Sequence, residues 1–331
     1  MWKYIRKISG NLIVAIPLMM LAGFAYGLLG ETAWLKSLII PFTFLMVYPM
    51  MVTLKIKKVF EGGDVKAQIL TQIINFAIVP FVAYGFGQFF FADRPYMALG
   101  LLLAGLVPTS GMTISWTGFA KGNMSAAVKM TVIGLIAGSM LTPFFVKLLM
   151  GASIQMNMST VMKQIFFIVF LPMTLGFITQ RILVKRYGQD EFKKVLGPKF
   201  PPMSTLGVLG IVFVALALKA RTIASAPEVL FSILIPLLVL YGFNFMLSTF
   251  VGRTFLPRGD AIALVYGSVM RNLSIALAIA INAFGPQGSD AALVIAIAYI
   301  IQVQSAAWYV KFTSRIFGSE EKSGKIIRQA G

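Results

Sequence analysis

The sequence predicts an all-α polytopic membrane protein, with ten transmembrane helices arranged as two inverted five-helix repeats and with helices 4 and 9 broken. Three observations predict it. Of 331 residues, 58% are hydrophobic and only 12% are charged, and the mean hydropathy is +0.85. A soluble chain is about a quarter charged. The chain also reads as ten apolar runs, each near the ~20 residues a helix needs to cross a bilayer. Finally, two of those runs carry an interruption at comparable depth.

The runs fall at about 11–29, 35–54, 67–91, 96–120, 124–149, 158–184, 201–219, 227–250, 259–285 and 289–310. The first follows a basic start, Met1 to Lys7, as a signal peptide would. It runs on to Leu29, too long for the apolar core of a signal, and reads as a membrane helix. The fourth contains Val107-Pro108-Thr109-Ser110-Gly111. Pro108 has no amide hydrogen, Gly111 tolerates almost any backbone angle, and Thr109 or Ser110 can cap a new helix. The ninth contains Gly267-Ser268-Val269-Met270-Arg271-Asn272. The longest link, about 185–200, is charged, ends before Pro201-Pro202, and does not divide the chain. Residues 1–331 read as a single membrane domain, with one repeat in 1–150 and the other in 158–318.

Charge sets the expected orientation. With the N-terminus in the cytoplasm, the cytoplasmic segments hold 21 of the 29 Lys and Arg residues and the outer segments 6. That asymmetry places both termini in the cytoplasm of a multi-pass protein of the cell (inner) membrane. The net charge of +18 then belongs to basic loops, and nucleic acid is not expected as a partner. Cysteine and histidine are both absent, which excludes disulfides, thiolate metal sites and the easiest proton switch near neutral pH. No nucleotide loop, metal constellation or nucleophile–base pair is present, so neither enzyme, cofactor nor metal site is expected. The partners expected are the lipid bilayer and a small solute; the oligomeric state stays open.

Each half has an odd number of crossings, so duplicated halves must be inverted. Interrupted helices at matching places in inverted halves point to the binding site of a secondary transporter. Asn75-Phe76 in the third span and Asn244-Phe245 in the eighth add a short correspondence. The eleven acids all sit in loops or at span edges, whereas Lys129 and Arg271 lie within spans. A cation at a helix centre costs about 2.5–3.5 kcal/mol on insertion scales. Lys129, about two turns from Lys121, can snorkel to the cytoplasmic side or face the centre. Arg271 lies about thirteen residues from Arg258 and about fourteen from Gly285, so at ~1.5 Å per residue both surfaces are roughly 20 Å away. With no acid expected nearby, these cations must meet carbonyls, water or an anionic ligand. Gln302 and the other amides in apolar spans read by default as interhelical hydrogen bonders. Gly23, Gly27, Gly134 and Gly138 read as close helix packing.

Val107-Pro108-Thr109-Ser110-Gly111, with Trp116 and Phe119-Ala120-Lys121-Gly122-Asn123, resembles the fourth span of the bile acid:sodium symporter superfamily. Asn272-Leu273-Ser274-Ile275-Ala276-Leu277-Ala278-Ile279-Ala280 with Phe284-Gly285 resembles its ninth. Val47-Tyr48-Pro49-Met50-Met51-Val52, with Asn75 and Pro80, is similar to its arsenite-efflux permease branch. The resemblance covers nearly the whole chain. It implies broken helices 4 and 9 crossing at the centre, in a core domain that moves against a panel of helices 1, 2, 6 and 7. It also shows departures. The first sodium site of the coupled relatives falls on Thr113, Ile114, Ala127 and Thr131, of which only the threonines keep an oxygen. The shared carboxylate and the glutamine of the second site fall on Gly267 and Arg271, and another glutamine on Asn75. The cysteine and glutamate of the arsenite branch fall on Thr109 and Ser274.

The resulting expectation is an alternating-access carrier, secondary active or facilitative, for a small organic anion and without sodium coupling. Thr109, Ser110, Thr113, Asn75, Arg271, Asn272, Ser274 and Asn244 are the expected substrate-binding residues. Lys129, Arg271 and Thr131 are expected to replace or couple the ions. The alternatives are an arsenite or metalloid efflux permease, and a membrane sensor or partner subunit that has lost transport.

Overall fold

The computed structural model describes residues 12–54, 63–154 and 158–318. The basic starts and ends expected of the chain, Met1 to Lys7 and Lys322 to Arg328, and Lys55, Lys57 and Lys58 lie outside them. The described residues are nearly all helical. In chain order the helices are α1 (Leu12–Leu29), α2 (Ile39–Val52, entered through the 3-10 turn Ala33–Leu38), α3 (Val65–Phe90) and α4 (Pro95–Leu106). Then come α5 (Gly111–Phe119), α6 (Met124–Met150), α7 (158–187) and α8 (Phe200–Ser225). Last are α9 (Glu228–Phe255), α10 (Arg258–Val269), α11 (Leu273–Ala283) and α12 (Gly288–Phe317). Seven helical stretches among the described residues are long and apolar enough to cross a membrane; α1, α4 and α11 supply shorter apolar helices.

Both expected interruptions are present. α4 ends at Leu106 and α5 starts at Gly111; α10 ends at Val269 and α11 starts at Leu273. Two further irregularities follow from proline. The π turns Ile74–Ile78 in α3 and Phe166–Phe170 in α7 stand just before Pro80 and Pro172. A proline cannot donate to the carbonyl four residues back, and a wider turn relieves the resulting clash. The charged link 185–200 is itself largely helical. After Gly188, with φ +85°, it runs as helical turns Gln189–Glu191, Phe192–Leu196 and Gly197–Lys199 into α8, with Phe192 buried. Burial of that one aromatic ring anchors a stretch whose composition alone reads as solvated.

The helices pack as two groups. α8 packs along α1 and α2, and α2 along α7. The second group joins α3 to α4, α9 to α10, α5 to α6, and α12 to α4, α9 and α11. Thinner contacts connect the groups, α8 and α1 to α12, and α2 and α7 to α11. Small residues set the closest approaches. A Cβ on Gly23 or Gly27 of α1 would collide with the backbone carbonyl of Phe213 or Ala217 on α8. On α6, a Cβ at Gly134 would lie 2.5 Å from Thr109 Oγ1, and one at Gly138 would lie 2.6 Å from Pro108 Cδ. α6 thus lies flush against the link between α4 and α5. G134V is expected to destabilise the protein by about 1–3 kcal/mol, the usual cost of overpacking. Thermal unfolding of the purified protein checks this against G85A, whose new methyl group meets nothing within 4 Å; equal melting of the two variants would refute the packing argument.

Candidate functional site

The two links meet. Pro108 and Arg271 form an isolated antiparallel bridge, and the Asn272 amide donates to Val107 O at 2.8 Å. Gln302 of α12 completes the junction. Its Oε1 accepts from the Arg271 backbone amide at 2.8 Å and from the Tyr241 hydroxyl at 2.9 Å, and its Nε2 donates to Arg271 O at 3.1 Å. The side chain acts as a short strand edge, satisfying backbone that no helix serves. Asn75 of α3 and Asn244 of α9 do the same for the end of α10. Their amides donate to Gly267 O at 3.0 Å and Ser268 O at 2.9 Å. The last carbonyls of a helix have no partner of their own.

The N-terminal ends are capped locally. Ser110 Oγ accepts from the Met112 amide at 3.2 Å, and the Ser110 amide donates to Thr113 Oγ1 at 3.2 Å, a reciprocal capping box. Asn272 Oδ1 accepts from the Ile275 amide at 3.2 Å. Thr109 sits between α4 and α5 with φ +63°, a region that costs a β-branched residue about 1–3 kcal/mol. Its Oγ1 holds it there, 2.7 Å from Pro108 O and 3.1 Å from Thr131 O.

A cavity opens over the starts of α5 and α11. Ser110, Gly111 and Ile114 line it, with Asn272, with Val128, Thr131, Val132 and Leu135 from one face of α6, and with Met50 of α2 and Thr53 and Leu54 just after it. It offers about 70 Å³ to water-sized occupants. Two helix N-termini, each the positive end of a peptide dipole, point toward it. Its wall comes from both helix groups.

Arg271 lies elsewhere in the junction. It is 2% exposed and reaches a small void lined by Val79, Ala104, Gly105, Leu240, Tyr241 and Asn244. Nε, Nη1 and Nη2 all lack a hydrogen-bond partner, as do Asn75 Oδ1, Asn244 Oδ1, Ser268 Oγ and Asn272 Nδ2. Buried polar groups are ordinarily paired. A guanidinium with three unserved nitrogens and no acid on the void's wall is the least satisfied group at the junction.

Of the expected site residues, Ser110, Asn272 and Thr131 line the cavity. Thr109 and Thr113 are buried in the link and its cap. Asn75 and Asn244 brace the end of α10, and Ser274 bonds the Tyr299 hydroxyl at 2.6 Å, off the cavity wall. The expectation that Lys129 meets no acid is overturned. Its Nζ lies 3.2 Å from Asp64 Oδ2, at a polar knot where Asn123 Nδ2 donates to Asp64 Oδ1 at 2.8 Å and to Asp260 Oδ1 at 2.7 Å. Asp64, with φ +59°, turns the chain back over the start of α3 and brings its carboxylate within reach. Lys129 is therefore held at a polar knot near the start of α6, away from the crossing. Gln302, Tyr241 and the residues Met50, Thr53 and Leu54 at the end of α2 were not expected at the junction. Gln302 had a signal, shared with Gln304, as an amide within an apolar run; the residues at the end of α2 had none.

Two stability tests follow. Q302L strips partners from the Arg271 backbone and Tyr241, and each buried group left unpaired costs about 1–3 kcal/mol. Its melting temperature is expected well below that of Q304L, and parity would refute the clasp. D64N is expected to destabilise by up to about 3–5 kcal/mol, because Lys129 is 3% exposed and loses the Asp64 carboxylate. The double variant D64N/K129M is expected to recover most of that loss in the same melting assay.

The sequence comparisons agree with this architecture. The model of the Sodium Bile acid symporter family matches residues 40–226. The arsenical-resistance protein Acr3 of Alkaliphilus metalliredigens is 25% identical, over 82% of this chain and 79% of its own. An uncharacterised transporter of Synechocystis is 25% identical, over 78% of this chain and 73% of its own. The sodium/bile acid cotransporter 7 of Rattus norvegicus is 25% identical, over 64% of this chain and 63% of its own. The matched residues take in α2, both halves of the first broken pair, and α6 to α8, so the chain belongs to the Sodium Bile acid symporter family, a family of multi-span membrane transporters.

Proposed function

We propose that the protein is an alternating-access carrier in the cell membrane, moving a small organic anion without a coupled sodium ion. The observation that carries this reading is the Arg271 guanidinium, buried beside the crossing with all three nitrogens unpartnered. A permanent cation there takes the place that a bound cation would need, and its field favours an anion in the neighbouring cavity. Arginine stays charged, so it serves as a fixed charge and not as a proton carrier. The two helix N-termini over the cavity add to the same sign. Ser110, Asn272 and Thr131 on the cavity wall supply hydroxyls and an amide for the solute. Asn75, Asn244, Thr109, Thr113 and Ser274 act as supports that hold the broken backbone in register.

In this reading the two interrupted pairs, α4 with α5 and α10 with α11, each make one crossing. With α1 and the seven longer helical stretches, that makes ten, as inverted repeats in 1–150 and 158–318, with both termini in the cytoplasm. The group α1, α2, α7 and α8 then slides against the rest, and the cavity between them opens to either side.

A second reading is favoured by the relatives named for arsenical resistance. The solute would then be an arsenical, bound without a thiolate, since the sequence has no cysteine and Thr109 stands in the break. Uptake of a labelled carboxylate or bile salt into proteoliposomes separates the readings. Equal rates with sodium and with choline are expected, and R271Q is expected to lower them by about tenfold or more. Strict sodium dependence would sink the sodium-free reading. Arsenite resistance restored to a sensitive strain, with no carboxylate or bile-salt uptake, would select the arsenical one. Failure of both assays would favour a non-transporting sensor or partner subunit.

A further inference from the structure

A second cleft lies between the two helix groups, at the other end of α2. Lys36 and Ile39 line it where the chain enters α2, with Leu218 and Lys219 from α8, and Ile281 and Ser289 from α11 and α12. It offers about 520 Å³, within the range of small-molecule sites. From Ile39 to Met50, on the wall of the cavity over the crossing, α2 covers about 16 Å at 1.5 Å per residue. α2 therefore contributes to both.

Its chemistry has two parts. The floor, Ile39, Leu218 and Ile281, is apolar. The rim carries two lysines and no acid among the lining residues. Asp290, in the first turn of α12 beside Ser289, lies 2.6 Å from Lys219 Nζ. This ion pair ties α8 to α12, and so one helix group to the other. Water reaches the pair from the Asp290 side: the Asp290 side chain is 36% exposed against 17% for Lys219, and solvent screening lowers the net stability of such a pair. An incoming acid group could take the carboxylate's place on Lys219 at small cost. Asp290 would return to water, and the solute's apolar body would gain burial on the floor.

We propose that this cleft is a second binding site, for an organic anion with an apolar body, whose acid group displaces Asp290 from Lys219 and so releases the tie between α8 and α12. That the site is a station on a transport route rests on the carrier reading; the binding itself does not.

Calorimetry on the full chain in phosphatidylcholine nanodiscs tests it, with 2-naphthoate as probe and 2-naphthylmethylammonium and inorganic sulfate as controls. Saturable binding of naphthoate alone is expected. K219Q and K36Q are each expected to weaken it about tenfold. Lys36 is exposed, so K36Q keeps its fold even if K219Q does not. D290N is the decisive arm: removing the competitor is expected to tighten binding about threefold or more. Unchanged or weaker binding in D290N overturns the exchange, and so does equal binding of the ammonium probe. Binding that R271Q abolishes and K36Q leaves intact belongs to the crossing; it overturns this proposal and leaves the carrier reading standing. The expected pattern without any transport leaves the site standing and removes its place on a route. Phosphatidylglycerol discs separate the sources of the acid group: unchanged naphthoate affinity assigns the cleft to a soluble anion, and weakening by about tenfold assigns it to a lipid headgroup of the same chemistry.

Discussion

Non-helical backbone within a bilayer must find its hydrogen bonds inside the protein, and here the two links find them at one junction. Asn272 donates to Val107 O, Pro108 bridges Arg271, and Gln302 serves both backbone groups of Arg271. The rest of the second helix group is arranged to keep that junction closed. Asn75 and Asn244 cap the end of α10 from two sides, and Gly134 and Gly138 let α6 lie against the first link. The left-handed Thr109 persists because the surroundings over-determine it.

The junction satisfies its backbone while leaving a side chain wanting. Arg271 has its amide and carbonyl fully served, yet its guanidinium has no partner. That division fits a site that is rigid in frame and open in charge. The cavity over the crossing and the cleft at the other end of α2 both draw walls from the two helix groups. Between the groups the contacts are thinner than within them, so relative movement costs less there than inside either group.

Much of this was legible from residues alone. The two interruptions, the cap at Ser110 and the tight glycine contacts follow from local chemistry that any membrane helix must obey. Asn75 and Asn244 were recognisable as amides near the crossing, though their service to the α10 carbonyls was not. The pairing of Lys129 was not legible because its partner, Asp64, lies 65 residues away in sequence and reaches it only through a left-handed turn. The helical course of the link before α8 likewise rests on burial of Phe192, a tertiary event.

The sequence by itself determined the membrane class, the places where helices break and the presence of a cation at Arg271, because hydropathy, proline and glycine geometry and the cost of buried charge act locally. Only the tertiary structure decided which cation meets an acid, that Gln302 clasps the Arg271 backbone, and that α2 walls two separate cavities. Those outcomes depend on distances between segments remote in sequence, and no local rule of composition or spacing contains them.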